Sequence, residues 1–150
     1  MHSRNLVRLL GLVSFLVGAC VPLARSPLDE ARALWSAQGM DDYRFTLVRN
    51  CFCLIRGPVV VEVRNGEVVS IVDAQTGEPE QDNVALTEVF GEVATIQALF
   101  DVVAEAEGAA TRDVTYHPEL GYPTYIYIDE SEMIADEEIG YEVLDLVKLG

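Results

Sequence analysis

The pair Asn65-Gly66, set between two valine-rich stretches, is the strongest local structural signal in this chain. Both central residues of a type I′ turn need a positive φ, which asparagine and glycine adopt readily. The pair therefore predicts a β-hairpin of strands Val59–Arg64 and Glu67–Val72. The expected cross-strand pairs on its apolar face are Val63–Val68, Val61–Ser70 and Val59–Val72. The other face would begin with Arg64 opposite Glu67, a charge pair suited to solvent.

Flanking patterns predict two helices and four further strands. Ser26 followed by Pro27 is typical of a helix start, and the apolar stripe that follows ends at Gly39. Thr95 can cap a second helix, whose apolar residues repeat at helical spacing before Gly108. Alternation of apolar and polar residues, together with strand-forming composition, predicts the other strands: Tyr43–Arg49, Arg112–His117, Tyr122–Asp129 and Tyr141–Val147.

The predicted order is helix, three strands, helix, three strands. Strands that follow one another through short connections pair antiparallel. We therefore predict an α+β fold, an antiparallel sheet with two helices on one face in a tandem α-β-β-β arrangement. The face without helices would be open to a partner.

Residues 1–19 have the layout of a secretory signal, with a basic start, an apolar stretch and small residues before Cys20. The apolar stretch is too short to span a bilayer, which needs about 20 residues. We expect removal of this leader. Residues 20–25 would then form a short tether, and residues 26–150 a single domain.

Val17-Gly18-Ala19 directly before Cys20 resembles the lipobox of bacterial lipoproteins. That resemblance implies a diacylglyceryl group on the Cys20 sulfur and cleavage that leaves Cys20 as the first residue. Two or more acyl chains anchor stably, where one is marginal. We expect an exported protein, lipid-anchored in the bacterial cell envelope, at the outer membrane in a Gram-negative host because Val21 is not aspartate. The alternative is an ordinary secretory signal with an incidental cysteine.

The charge of the chain argues against two classes of partner. Arg4 and Arg8 would leave with the leader while all 25 acids remain, so the formal net charge of −15 becomes −17. Such a surface repels nucleic acid and anionic lipid head groups. We therefore expect no nucleic-acid partner. The membrane contact would be the lipid anchor at Cys20.

Cys51 and Cys53 would be the only other cysteines, and an even pair in an exported protein favours a disulfide. In a continuous strand their Cα atoms would be about 6.6 Å apart, near the upper limit for a disulfide, so the bond requires a kink. Three interpretations stay open. They are a local disulfide, two thiols that are reduced or used separately, and a metal-binding or redox-active pair.

Acidic residues near the C-terminus are weak candidates for a metal site, because hard cations such as Ca²⁺ prefer clustered oxygen ligands. These candidates are Asp129, Asp136, Glu137 and Glu138. The spacing of an EF-hand is absent, since Met133 stands at a ligand position, and a solvated charged loop is the alternative. No cofactor is predicted.

Tyrosines in the later strands could form a binding patch, since aromatic residues are enriched at interfaces. Tyr122, Tyr125 and Tyr127 are the candidates for partner binding, and half-buried strand positions are the alternative. Catalysis has little support, because the sequence contains no nucleophile elbow, P-loop, His-Glu-x-x-His or dinucleotide fingerprint. A Cys51–His117 nucleophile pair is the one catalytic arrangement to be tested.

Several local patterns together resemble an uncharacterised family of bacterial secreted lipoproteins, the domain of unknown function DUF6174. The patterns are Cys51-Phe52-Cys53, the Asn65-Gly66 hairpin, Gly121-Tyr122-Pro123 and Asp136-Glu137-Glu138. The resemblance implies a fold and a location, and it implies no activity.

Our leading hypothesis is a lipid-anchored, non-catalytic envelope domain that binds a protein or peptide partner through the open face of its sheet. The alternative hypothesis is a thiol- or metal-handling lipoprotein that uses Cys51 and Cys53.

Overall fold

The computed structural model describes residues 25–150. The predicted leader at residues 1–19, Cys20, and every tether residue except Arg25 lie outside the described residues. Three α-helices and eight strands make up this region. The helices are α1 (Pro27–Ala37), α2 (Leu86–Phe90) and α3 (Ile96–Glu105). The strands are β1 (Tyr43–Cys51), β2 (Val59–Arg64), β3 (Glu67–Asp73), β4 (Glu80–Gln81), β5 (Val84–Ala85), β6 (Thr111–Tyr116), β7 (Pro123–Asp129) and β8 (Ile139–Lys148).

Six strands form one antiparallel sheet in the order β3-β2-β1-β8-β7-β6, and β4 and β5 form a separate two-stranded sheet. The predicted α+β class with an antiparallel sheet is confirmed. Each half of the chain contains a helix that is followed by three strands of this sheet. The halves meet where β1 pairs with β8, so the first strand of one half lies beside the last strand of the other.

The predicted Asn65-Gly66 hairpin is present, with positive φ at Asn65 (51°) and Gly66 (77°). Val63 pairs with Val68 as predicted. The two pairs predicted further from the turn are wrong, because the register shifts after Val63 and makes Val69 an extra residue in β3. The observed partners are Val61–Ile71 and Val59–Asp73. The bulge turns Ile71 into the core, where Ser70 had been expected.

The two longer helices, α1 and α3, form where their first turns are capped. The Ser26 hydroxyl accepts a hydrogen bond from the Asp29 amide at 3.1 Å, and the Thr95 hydroxyl accepts one from the Ala98 amide at 3.0 Å. Each such cap contributes about 1 kcal/mol to stability. Both helix starts therefore lie where the sequence predicted them.

The core lies between the helices and one face of the sheet. Inward residues of the strands, such as Phe45 and Val61, meet the apolar stripe of α3, which includes Leu99 and Phe100. Burial of one such side chain stabilises the fold by about 1.5–3 kcal/mol. The helices and the sheet, with the core between them, form the two layers expected of an α+β domain.

The two predicted helices correspond to α1 and α3, and the segment between β5 and α3 contains a third, short helix, α2, which the prediction did not include. Its Leu86 and Phe90 are buried in the same core, so α2 lies on the same side of the sheet as α1 and α3. The second face of the sheet is therefore left open by all the helices of residues 25–150. Within that range, none of the helices has the length and apolar character needed to cross a bilayer.

Candidate functional site

The uncovered face of the six-stranded sheet, called the open face below, is built by alternation along the strands. Antiparallel partners point to the same side, so Thr46 with Val60 and Leu144, and Val48 with Glu142 and Tyr125, lie across this face. Tyr127 lies on the same side two residues after Tyr125. The apolar and aromatic side chains of the open face include Val48, Val60, Val72, Leu144, Val147, Tyr125 and Tyr127.

Polar groups interrupt this apolar centre. The Asn50 amide donates a hydrogen bond to the Glu142 carboxylate at 2.8 Å, which fixes both side chains beside the tyrosines. Near the hairpin turn, Arg64 pairs with Glu62 at 2.9 Å and with Asp42 at 3.8 Å. These exposed ion pairs each contribute little to stability. The open face thus has aliphatic and aromatic side chains on its middle strands, with Glu142 and Asn50 among them, and further charged groups near the hairpin turn.

Tyr127 remains a neutral hydrogen-bond donor over a wide pH range. Desolvation raises its pKa above the usual value, and the negative charges of Glu138 and Asp129 raise it further. A tyrosine in this state offers a partner an aromatic ring and a hydroxyl donor together.

Tyr122 does not belong to the open face, which corrects the predicted set of three tyrosines. Only 7% of Tyr122 is exposed. Its ring meets Trp35 edge-on at 6.1 Å and stacks on His117 at 5.0 Å. Burial raises its pKa. Tyr122 is a core residue that holds α1 against the turn between β6 and β7.

Cys51 and Cys53 are joined as a disulfide, with their Cα atoms 5.3 Å apart. The strand β1 ends at Cys51 and the chain bends at once, so the kink that such a disulfide requires is present. Between and beyond the cysteines the turn projects two large apolar side chains, Phe52 and Leu54, which are 82% and 97% exposed.

Arg49 ties this turn to the helical layer. Its guanidinium donates to the carbonyls of Ile55 at 2.9 Å and Val89 at 3.2 Å, and it contacts the Cys53 sulfur at 3.5 Å. It also lies over the Phe90 ring, 5.3 Å from the centroid. Sequence reasoning missed Arg49. The available signal was its place in the inward series of β1, where a charge needs partners.

Cys51 and His117 do not form a nucleophile pair, so that arrangement is wrong. Cys51 lies in register with Arg112, through Ile139 and Ile128, and His117 follows five residues later along β6. That spacing separates them by about 16 Å along the strand direction. The His117 Nδ1 instead accepts hydrogen bonds from the amides of Glu119 and Leu120 at 3.2 and 3.1 Å. His117 therefore shapes a turn.

The carboxylates proposed as metal ligands are not brought together. Asp129 accepts a hydrogen bond from the Ser131 amide at 3.0 Å, as a turn residue does. Throughout residues 25–150, no three histidine, cysteine or acidic side chains are grouped so as to hold a metal ion. The weak candidates Asp129, Asp136, Glu137 and Glu138 thus do not form a site in the described fold.

The described region matches one family model, whose description is "Family of unknown function (DUF6174)", over residues 27–148. No curated protein and no solved structure matches the chain.

Proposed function

We propose that this chain, which belongs to the DUF6174 family of unknown function, is a lipid-anchored, non-catalytic domain of the bacterial cell envelope. Its role would be to bind a protein or peptide partner on the open face. The observation that carries the proposal is the sheet face with an apolar centre and two half-exposed tyrosines, Tyr125 and Tyr127, that no helix of residues 25–150 covers.

The composition of the open face suits recognition. Interfaces are enriched in aromatic residues at their centre and are polar at their rim. Tyr125 and Tyr127 on β7 provide the aromatic part of the face, with Leu144 on the neighbouring strand β8 and Val60 further away on β2. Tyrosine also loses little conformational freedom on binding, because it has only two side-chain torsions.

Charge suggests the kind of partner. The chain carries a formal net charge of −15, and the open face itself includes Glu142, whose hydrogen-bond partner is the neutral Asn50 amide. A partner with a basic rim would be attracted at long range, and added salt would slow its association.

The anchoring part of the proposal comes from the sequence around Cys20. Radiolabelled palmitate should mark the wild-type chain, and Cys20→Ser should abolish the label and move the chain from the membrane to the soluble fraction. Label that persists in Cys20→Ser, or wild type that takes up none, would contradict anchoring at this residue.

Partner binding is tested by chemical crosslinking and affinity capture of the full chain from its own envelope. Tyr125→Ser/Tyr127→Ser should lose the captured partner and keep the fold. The matched control is Leu34→Gln on α1, a partly exposed apolar residue on the opposite side of the molecule. Capture that is equal in the two variants would remove the open face from consideration.

A second candidate, thiol–disulfide exchange, is favoured by the contact between Arg49 and Cys53. An incoming thiolate from an envelope thiol protein would bond to the Cys51 sulfur and break the Cys51–Cys53 bond. The electron pair would leave on Cys53 as a thiolate, which the guanidinium stabilises. A second thiolate of the envelope protein would then attack the sulfur bonded to Cys51, which closes a disulfide in that protein and releases Cys51 as a thiolate, so that the chain gains the two electrons that the envelope protein loses.

Mass spectrometry after alkylation separates the two candidates. Under the thiol exchange hypothesis, a mild thiol reductant makes both cysteines alkylatable in the folded chain, and Arg49→Gln slows the reaction. Metal analysis of the reduced chain tests the metal-handling variant. A disulfide that resists reduction until the chain unfolds, with no copper or zinc retained, would end this candidate.

A further inference from the structure

Three of the most exposed large apolar side chains within residues 25–150 occur in two loops. They are Phe52 and Leu54 after β1 and, between β7 and β8, Met133, which is 93% exposed. Ile134, next to Met133, is 56% exposed. These four residues are called the apolar tip below. Scattered single exposed apolar residues need no explanation, but a group at one place does.

The strand register places both loops at one end of the sheet. Cys51, the last residue of β1, pairs with Ile139 at the start of β8. Ile139 pairs in turn with Ile128, near the end of β7. The chain therefore leaves the sheet toward Phe52 and toward Met133 at the same end.

The first helix also begins at this end. Ser26 lines a cleft with Val103 and Glu107, and the Val103 carbonyl near the end of α3 accepts a hydrogen bond at 3.1 Å from Arg112, near the start of β6. Arg112 is in register with Ile128. Residues 20–25 can span at most about 20 Å when extended. A lipid on Cys20 would thus hold the end with the apolar tip, and not the Asn65-Gly66 end, close to the lipid surface.

The turn that carries Phe52 and Leu54 is held in place before any contact. The Cys51–Cys53 disulfide closes it, and Arg56 donates to the Cys53 carbonyl at 3.0 Å. Apolar groups that are already ordered lose little conformational entropy when they bind.

We infer that the apolar tip inserts into the lipid surface that carries the anchor, so that the strands stand upright and the open face points sideways along the membrane. This inference rests on the proposed anchoring at Cys20. Amphipathic contacts of this kind lie about 5–10 Å into the boundary between head groups and acyl chains.

The negative charge of the loop that carries Met133 favours insertion into a surface of zwitterionic lipids. The loop that carries Met133 also carries five acids, Glu130, Glu132, Asp136, Glu137 and Glu138. Anionic lipids would repel these carboxylates. Insertion should therefore be strongest in phosphatidylcholine vesicles and weaker when phosphatidylglycerol is added.

The test uses the lipidated full chain in vesicles with brominated acyl chains, which quench tryptophan. Trp35 is the only tryptophan and is buried, so the parent chain provides a baseline. Leu54→Trp should lose about half of its total emission, because one of its two tryptophans would lie within the acyl boundary. Glu67→Trp, beside the Asn65-Gly66 turn at the opposite end, is the matched control and should show baseline quenching.

The outcomes are distinguishable. A chain that does not float with the vesicles contradicts anchoring, and the inference falls with it. A chain that floats while Leu54→Trp stays at baseline leaves anchoring intact and overturns insertion of the apolar tip. In that case, loss of partner capture in Phe52→Ser would assign the tip to a protein instead. Quenching that strengthens with phosphatidylglycerol would refute the preference for zwitterionic lipid.

Discussion

Gly121 lies where the turn before β7 presses against α1, and replacing it with alanine should destabilise the fold strongly. Its φ is +82°, and an added Cβ would lie 2.7 Å from the Leu34 Cβ and 3.0 Å from the Trp35 amide nitrogen. The same Cβ would overlap the Ala31 carbonyl oxygen. Gly66 in the hairpin turn has a similar φ of +77°, with nothing within 4 Å of such a Cβ.

The comparison of Gly121→Ala with Gly66→Ala separates backbone strain from steric overlap. A positive φ costs about 1–2 kcal/mol for a residue with a Cβ, and overpacking adds about 1–3 kcal/mol. We expect Gly66→Ala to lose about 1–2 kcal/mol and Gly121→Ala about 2–5 kcal/mol. At about 4 °C per kcal/mol for a domain of this size, the Tm falls by about 4–8 °C and about 8–20 °C.

Thermal and urea unfolding, followed by circular dichroism and by Trp35 fluorescence, provide the measurement. Trp35 fluorescence reports on this contact because the indole ring meets Tyr122, the residue after Gly121, at 6.1 Å. Equal losses in the two variants, within about 0.5 kcal/mol, would show that α1 is not packed against Gly121.

The remaining predictions concern three other contacts. Tyr43 is buried, and burial raises its pKa despite the hydrogen bond it accepts from the Ile96 amide. The folded state therefore holds this proton more tightly than the unfolded state. The contribution of the neutral Tyr43 to the free energy of unfolding is fully present below about pH 10 and is lost as the pH rises above that value. Tyr43→Phe should flatten the alkaline fall in Tm, and a slope unchanged from wild type would count against the burial. Arg49→Gln should lower the free energy of unfolding in urea by about 1.5–3 kcal/mol, since the Ile55 and Val89 carbonyls lose a charged donor. A loss below about 0.5 kcal/mol would show that these hydrogen bonds do not hold the turn to the helical layer. Thr95→Ala, which removes the cap of α3, should lower the free energy of unfolding by about 1 kcal/mol in the same assay. An unchanged free energy of unfolding would show that the cap does not stabilise the helix.

The parts of the fold that depend on local chemistry could be predicted from the sequence. The Asn65-Gly66 turn and the caps at Ser26 and Thr95 each rest on a backbone requirement that few residues meet. The bulge at Val69 carries no such signal, because any residue can occupy it, and the register beyond Val63 was therefore mispredicted. The pairing of β1 with β8 joins distant segments and also lies beyond local patterns.

The candidate site was predictable only in part. Tyr122 has the same parity as the inward residues Ile126 and Ile128, so alternation along β7 already indicated that it would be buried, unlike Tyr125 and Tyr127. The convergence of the two apolar loops at one end could not be predicted, because it depends on the order of strands in the sheet.

The most direct test of recognition at the open face is site-specific photo-crosslinking in living cells. A benzoylphenylalanine at Tyr127 keeps an aromatic ring on the open face, and the same group at Leu34 on α1 is the control on the helical side. We expect one discrete adduct with an envelope protein from position 127 and none from position 34. Absence of an adduct at 127, or the same adduct from both positions, would contradict the proposed role of the open face.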